Sequence, residues 1–227
     1  MKKIGFIAMM LVSITLSACI TERQKADNGV VVSRNIAIKD FEEIAIEGSM
    51  DVHFTQDNNT SVKVKGNENA LKQIEIKSDG KLLTIRSMSG KWNFFSKNNY
   101  TDDIEIYVSS PNLRGIAIAG SGEFVAKDMI DTDTLNISIA GSGDIALGNL
   151  ICNMFSASIS GSGDIDIDKV NAADATLSIA GSGSLDIDNA NIGYVESSIA
   201  GSGSIDVKGN VKKHKEDIAG SGSIDFN

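Results

Sequence analysis

Apolar and polar residues alternate through the second half of the chain, and the alternation restarts at each of six Gly-Ser-Gly tripeptides. Successive tripeptides begin 21, 20, 20, 20 and 19 residues apart, at Gly120, Gly141, Gly161, Gly181, Gly201 and Gly220. An isoleucine stands two positions before each of these glycines, and apolar residues stand four and six positions after each glycine. A hydrophobic period of two predicts strands with one buried face, and a fixed period near 20 residues predicts stacked coils.

The pattern therefore predicts an all-β fold, a right-handed parallel β-helix (solenoid) with coils of about 20 residues. Equivalent residues of successive coils should form columns separated by one strand spacing, about 4.8 Å. Isoleucine columns should fill the axis, because no coil can bury its apolar face without its neighbours. The two glycines of each corner are predicted to adopt positive φ, since glycine has no Cβ.

The first half of the chain is also strand-like, but its pattern is irregular. We therefore divide the mature chain into an irregular β part, residues 35–115, and a regular Gly-Ser-Gly solenoid, residues 116–227. The sequence Gly48-Ser49-Met50-Asp51 looks like a decayed corner in which methionine replaces the second glycine. Two interpretations remain open: one continuous solenoid whose first half carries longer insertions, or a separate β-sandwich cap.

The N-terminus has the pattern of a secretory signal over residues 1–18, with Lys2 and Lys3, an apolar run and small residues before Cys19. It resembles a bacterial lipoprotein signal peptide, which implies that Cys19 carries palmitate-type acyl chains and anchors the protein to a membrane. An ordinary cleaved signal is the alternative. Residues 19–34 would be the lipidated cysteine and a flexible tether. The expected location is the cell envelope, as an outer-membrane lipoprotein, with the periplasmic or surface face left open.

Charge is distributed unevenly along the chain. Residues 1–115 hold 14 acids and 15 bases, whereas residues 116–227 hold 16 acids and 6 bases. The acidic solenoid should repel nucleic acids, so no nucleic-acid partner is expected. Cys152 has no disulfide partner if Cys19 is lipidated. Its expected role is that of a small buried residue, with a reactive thiol as the alternative.

An aromatic segment lies between the two parts of the pattern. The candidate ligand-binding residues are Trp92, Phe94, Phe95 and Tyr100, which fall within nine residues. Clustered aromatic side chains on a loop can stack on sugars or anchor a protein partner. They can equally pack over the open end of a solenoid, which needs a cap.

A column of aspartates is the second candidate binding feature. Asp166, Asp186, Asp206 and Asp225 occupy the same place in successive coils and should point outward. This acidic ladder is interpreted either as a solvated face or as a binding surface for cations or a basic partner. The residues after each corner, Glu123, Asp144, Asp164 and then serines, do not keep the aspartate of calcium-binding repeats. No metal site and no cofactor is predicted.

Catalytic motifs are not found in the sequence. The corner serines form a column, but a nucleophile needs an adjacent base, and neither His53 nor His214 falls in a corner. We expect the serine hydroxyls to bond to the turn backbone. The final corner ends shortly before Asn227 with no visible polar cap, and an unprotected edge favours pairing with another chain.

Three features together resemble a known family: Glu47-Gly48-Ser49-Met50-Asp51-Val52, then Pro111-Asn112-Leu113, then repeated Gly-Ser-Gly. They are similar to the head GIN domain of putative auto-transporter adhesins, found in lipoproteins of Bacteroidota. The resemblance covers about residues 34–227 and implies a β-solenoid without catalytic residues. The expected function is that of a lipid-anchored, non-catalytic adhesin-like module that binds a glycan or a surface protein. The alternatives are a self-assembling structural envelope protein (a homo-oligomer) and, less favoured, a polysaccharide-active β-helix enzyme.

Overall fold

A computed structural model describes residues 30–88 and 104–227 of the chain. These residues form sixteen strands and one short helix, α1 (Glu68–Leu71). The strands are β1 (Val31–Ile36), β2 (Glu43–Gly48), β3 (Asp51–Gln56), β4 (Ser61–Asn67), β5 (Ile74–Ser78), β6 (Leu82–Ser87), β7 (Glu105–Ser110), β8 (Gly115–Gly120), β9 (Glu123–Asp131), β10 (Thr134–Gly141), β11 (Asp144–Ile151), β12 (Met154–Gly161), β13 (Asp164–Gly181), β14 (Ser184–Gly201), β15 (Ser204–Gly220) and β16 (Ser223–Phe226).

All sixteen strands belong to one sheet that winds around a common axis. Strands before the corners pair in parallel in the order β2, β8, β10, β12, and strands after the corners pair as β3, β9, β11, β13. Strands β13, β14 and β15 each continue through a bend and so contribute to two coils. The prediction of an all-β solenoid is confirmed, with about six turns of roughly 20 residues and a less regular N-terminal part.

Side chains that face the axis form continuous apolar columns. In one of them Ile145, Ile165, Leu185 and Ile205 are successive register partners, and each is at most 1% exposed. Burying one such side chain contributes about 1.5–3 kcal/mol. Since most of that contact is with the coils above and below, the hydrophobic columns hold the stack together.

The two glycines of a corner serve different purposes. The first has positive φ in every coil, for example +141° at Gly181, where other residues would be strained. The second is not at positive φ, so that part of the sequence prediction is wrong. A Cβ on Gly183 would instead overlap the carbonyl oxygen of Gly163 and lie 3.0 Å from Cγ2 of Ile159. The second glycine is therefore required because adjacent corners approach so closely.

Corner backbones are joined from coil to coil by hydrogen bonds. The N–H of Ser182 donates to the carbonyl oxygen of Gly161 at 2.8 Å, and the N–H of Ser202 donates to Gly181 at the same distance. The serine side chains themselves are exposed at both positions. Among the described residues, the backbone N–H groups rather than the expected hydroxyls thus make the hydrogen bonds of the corner.

The N-terminal part contributes a coil to the same stack. Strand β2 pairs in parallel with β8, and Gly48 is the register partner of Gly120, so Gly48-Ser49-Met50 is a true corner. On the other side β2 and β3 pair with β6 and β7, which are separated in sequence by residues 88–104 rather than by a Gly-Ser-Gly corner. At this corner the place of the second glycine is taken by Met50, whose side chain is fully buried. Strands β5, β4 and β1 complete this end with antiparallel pairing.

The C-terminal coil carries large polar residues where the preceding coil has buried side chains. His214 is the register partner of buried Val195, and Glu216 is the partner of buried Ser197. The His214 ring stacks on Phe226 with centroids 4.3 Å apart, and its Nε2 lies 3.3 Å from Oε1 of Glu216. The expectation that the last coil has no polar cap is therefore wrong. The polar residues of the cap are visible in the sequence. Because this coil is one residue shorter than the preceding coil, their alignment with interior positions was not recognised.

Candidate functional site

The predicted acidic ladder forms one outward column on the strands that follow the corners. Asp166, Asp186, Asp206 and Asp225 are successive register partners in adjacent coils. Toward the N-terminal end the same column continues with Ala146, so the ladder's charge is confined to the C-terminal coils. We refer to these four aspartates as the acidic ladder.

A second outward column runs beside the acidic ladder, two residues earlier on the same strands. Its successive register partners are Glu105, Asp51, Glu123, Asp144, Asp164, Ser184, Ser204 and Ser223. From sequence alone this column is recognisable only from Glu123 onward, because Asp51 and Glu105 lie in the irregular part. Asp51 could have indicated that the column continues into the irregular part. It directly follows the decayed corner, just as Asp144 and Asp164 directly follow Gly-Ser-Gly corners. The two columns together make the acidic flank.

Aspartates of the second column tie one coil to the next. Oδ1 of Asp164 accepts hydrogen bonds from the N–H and the hydroxyl of Ser184, at 2.9 and 2.7 Å. Oδ1 of Asp144 accepts from the N–H of Asp164 at 3.3 Å. These hydrogen bonds help to hold adjacent coils together. Within residues 30–88 and 104–227, no group of three or more His, Cys, Asp or Glu side chains is arranged to hold a metal ion.

Repulsion and partial burial perturb the acidic ladder. Burial, followed by the neighbouring charge of Asp164, raises the pKa of Asp166 above its ordinary value. Burial and the charges of Asp166 and Asp206 likewise raise the pKa of Asp186. Oδ1 of Asp206 is buried without a hydrogen-bond partner among the described residues. The ladder is therefore under electrostatic strain that a bound cationic group would relieve.

We expect Asp186→Asn to stabilise the protein at neutral pH, by about 0.2–1 kcal/mol, because it removes like charges from opposed positions. The folded-state pKa of Asp186 is raised, so its ionisation opposes folding as pH rises through that value. Below the unfolded-state pKa the carboxyl is protonated in both states, and the advantage of asparagine should disappear. Urea unfolding at pH 7 and pH 3 measures this difference. A variant that is less stable than the parent at pH 7 would contradict it.

The predicted aromatic residues Trp92, Phe94, Phe95 and Tyr100 lie outside the described residues. The structure instead shows an aromatic pair that the sequence analysis did not identify. The rings of His53 and Tyr107 stack with centroids 5.1 Å apart, and Tyr107 is 40% exposed. Oη of Tyr107 donates to Oε2 of Glu105 at 2.8 Å, and Nζ of Lys65 donates to the same oxygen at 2.9 Å. Cross-strand pairing of β3 and β7 brings these residues together, which the separate segments do not reveal.

Cys152 is 8% exposed at the end of the segment between two coils. Burial, and secondarily the charge of Asp133, raises the pKa of its thiol to about 11. Since the thiolate is the reactive form, only on the order of a thousandth of the folded molecules carry it at pH 8. This environment fits the expected role of a small buried residue.

We therefore expect Cys152 to resist alkylation by iodoacetamide at pH 8 in the folded protein and to react readily in urea. Its burial and raised pKa both slow attack in the folded state. Mass spectrometry of a Cys19→Ser chain, which keeps this one thiol, counts the modified fraction over time. Equal rates with and without urea would show that the thiol is accessible and would contradict the burial.

The described part of the chain contains no helix that is long and apolar enough to cross a membrane. This finding bears only on residues 30–88 and 104–227. The predicted anchor at Cys19 lies outside them.

Comparison with solved structures finds bacterial proteins of similar fold. A putative adhesin from Bacteroides fragilis is 20% identical, with a TM-score of 0.66, and the match covers 87% of this chain and 97% of the other. A putative lipid binding protein from Parabacteroides distasonis is 25% identical, with a TM-score of 0.60, covering 88% and 98%. A putative adhesin from Parabacteroides merdae is 20% identical, with a TM-score of 0.57, covering 88% and 97%.

The comparison with curated proteins gives no match. A family model does match, over residues 40–227, and its description is putative auto-transporter adhesin, head GIN domain. The match spans the coils, the decayed corner at Gly48 and the acidic flank. This protein therefore belongs to the family of putative auto-transporter adhesins with a head GIN domain.

Proposed function

We propose that this chain is a lipid-anchored, non-catalytic adhesin-like module of the cell envelope that binds a glycan or a protein. Membership of an adhesin family supports the adhesin-like role. The sequence before residue 30 supports anchoring through Cys19, as an outer-membrane lipoprotein. The tether would join the membrane to the N-terminal end of the solenoid, where β1 begins.

The acidic flank is the observation that carries the proposal. Its two columns repeat carboxylates at the strand spacing, about 4.8 Å, on a surface that neighbouring coils hold rigid. A regular array of this kind suits a ligand with repeated cationic groups, or one bridged by loosely held cations. Attraction from several aligned carboxylates also raises the rate of encounter with such a ligand.

The surroundings of the two histidines support a non-catalytic role. His53 stacks on Tyr107, and His214 lies against Phe226 and Glu216. Neither of these described contacts brings an imidazole to a corner serine, and a serine nucleophile needs an adjacent base. The cationic groups that a polysaccharide lyase needs as a base are also sparse on the acidic solenoid.

A ligand array tests the proposal with the chain from residue 19, carrying Cys19→Ser so that no lipid is attached. It presents bacterial and host glycans and matrix proteins, with and without calcium. Asp166→Asn, Asp186→Asn and Asp206→Asn together remove the centre of the acidic ladder. Asp128→Asn with Asp174→Asn removes two exposed charges elsewhere on the surface and is the control.

The expected result is a ligand that binds the parent and the control but binds the ladder variant at least roughly tenfold more weakly. A companion variant, Trp92→Ala with Phe94→Ala and Phe95→Ala, tests the aromatic segment as a second contact. Absence of any ligand for a folded parent would contradict the adhesin-like proposal. Equal binding by the ladder and control variants would move the site away from the acidic flank.

Self-assembly through the coil ends is the less favoured alternative. The polar cap formed by His214 and Glu216, together with Lys212 and Lys213 on the same strand, opposes edge-to-edge pairing.

Lipid binding is a second candidate function. One relative is described as a putative lipid binding protein. A specific feature favours it in this chain: an apolar groove of about 320 Å³ at the N-terminal end of the solenoid.

A further inference from the structure

The two edges of the wound sheet approach each other at the N-terminal end without pairing. Strand β1 is hydrogen-bonded only to β4, and β5 only to β6, so they are the first and last strands of the sheet path. Helix α1 follows β4 and leads into β5. The space between these elements is the N-terminal groove.

The floor and walls of the N-terminal groove are apolar. Six apolar side chains contribute, from β1, β4, α1, β5 and the residue that follows β6: Ile36, Val64, Leu71, Ile74, Ile76 and Met88. Ile36, Ile74 and Ile76 pack on the core but remain only partly buried, and Met88 is 53% exposed. The volume, about 320 Å³, falls within the range of small-ligand pockets, about 300–1,000 Å³. The groove therefore leaves apolar surface uncovered in a shape that suits one narrow apolar chain.

One cation and one carboxylate, Arg34 and Glu75, line the mouth of the groove. Nη2 of Arg34 lies 2.8 Å from Oε1 of Glu68. Glu75 is bonded by both Lys77 and Arg86, and the hydrogen bond from Lys77 is the main cause that holds its pKa below the ordinary value. Glu68 and Glu75 are thus both bonded to cations, which weakens the repulsion that they would exert on an anion at Arg34.

Arg34 remains able to bind a further anion. Its side chain is about half exposed, and the bond to Glu68 uses one of the five N–H donors of a guanidinium. A carboxylate or phosphate is the group that guanidinium recognises best. The groove thus combines an apolar body with a cationic end, which is complementary to an amphiphile of the opposite charge.

We propose that the N-terminal groove binds the alkyl chain of a free single-chain anionic amphiphile, of the fatty-acid class, with its headgroup at Arg34. This inference rests on the second candidate function, lipid binding, and adds to it the site, the number of chains and the sign of the headgroup. The groove lies at the end where β1 begins, which is the end that the proposed Cys19 anchor would hold near a bilayer.

The test uses the Cys19→Ser chain from residue 19 and a fatty acid with a dansyl group at its far end, whose emission rises in apolar surroundings. The expected result is saturable binding with one site per chain, displaced by dodecanoate. Dodecyltrimethylammonium, which has the same chain length and the opposite charge, should compete at least roughly tenfold more weakly. Dodecanol, which is neutral, measures the contribution of the alkyl chain alone.

Two variants locate the site. Ile36→Trp fills the groove from a partly buried position and should abolish probe binding. Ser178→Trp fills a different surface groove, on the solenoid flank, and should leave binding unchanged. Arg34→Gln alters an exposed side chain and should weaken dodecanoate roughly tenfold while leaving dodecanol unaffected.

Different outcomes contradict different parts of the account. Binding of dodecanol and dodecanoate with equal affinity in parent and Arg34→Gln would overturn the headgroup assignment but leave lipid binding intact. No binding of any alkyl probe would overturn both. Binding that emerges only when Trp92, Phe94 and Phe95 are changed to alanine would identify residues 89–103 as the occupant and overturn the proposal.

Discussion

Gly181→Ala should cost at least about 4 kcal/mol of unfolding free energy, which is a large part of the stability of an ordinary domain. Two effects combine at this position. The φ of +141° is strained for a residue with a side chain, and the new Cβ would overlap the carbonyl oxygen of Gly161 in the adjacent coil. Because that oxygen is part of the backbone, relief requires the two coils to separate. Thermal unfolding followed by circular dichroism measures the loss.

Gly80→Ala separates the two effects. Gly80 also has positive φ, +106°, but a Cβ there would meet no atom within 4 Å. Its substitution should cost only the conformational strain, about 1–2 kcal/mol. Ser182→Ala, beside Gly181 and exposed, should change stability by less than about 0.5 kcal/mol. Similar losses for Gly181→Ala and Gly80→Ala would show that the coils do not approach as closely as described.

Ile165→Ala should destabilise the protein by about 2–5 kcal/mol because it opens a cavity in the centre of an interior column. Ile165 is fully buried between Ile145 and Leu185. Ile224 occupies the same column in the last coil, where it is only partly buried and pairs with Ile205 alone. Ile224→Ala should therefore cost about 1 kcal/mol. Urea denaturation of both variants gives the comparison.

The chemistry removed is identical in these two variants, so the difference isolates the position in the stack. A larger loss at Ile224 than at Ile165 would contradict the account in which neighbouring coils supply the stability. Amide hydrogen exchange provides a second measurement. It should show the last coil opening more readily than the coil of Ile165, since its interior positions hold His214 and Glu216.

The regular coils were predictable from sequence because one period sets both hydrophobicity and turn chemistry. Every isoleucine column follows from the spacing of the Gly-Ser-Gly corners. The reason why the second glycine of each corner is required could not be predicted from the sequence. At Gly183 it is the overlap of a Cβ with the carbonyl oxygen of Gly163, which is 20 residues away in the chain. The cap at His214 was missed because a one-residue deletion shifts polar residues into interior register.

The N-terminal end was less predictable for topological reasons. Strands β6 and β7 follow β2 and β3 in sequence and pair with them on the side of the N-terminal end. Strand β8, which comes later in the chain, pairs with the opposite side of β2. No local pattern encodes that order. The N-terminal groove depends on it, because β1 and β5 approach each other only after the sheet has closed around this end. In the candidate site, the spacing of the corners was enough to align the four aspartates of the acidic ladder. The place of Asp51 and Glu105 in the second column emerged only from the strand pairing.

Adhesion under flow measures whether the acidic flank holds the protein on a ligand-coated surface. Beads carry the Cys19→Ser chain, attached through its N-terminus so that the acidic flank and the distal coils face outward as on a membrane. They pass over surfaces coated with the glycans and matrix proteins of the array. We expect parent beads and Asp128→Asn, Asp174→Asn beads to be retained on at least one surface, and beads with the Asp166→Asn, Asp186→Asn, Asp206→Asn chain to be washed away. Parent beads retained no better than albumin-coated beads on every surface would contradict this expectation.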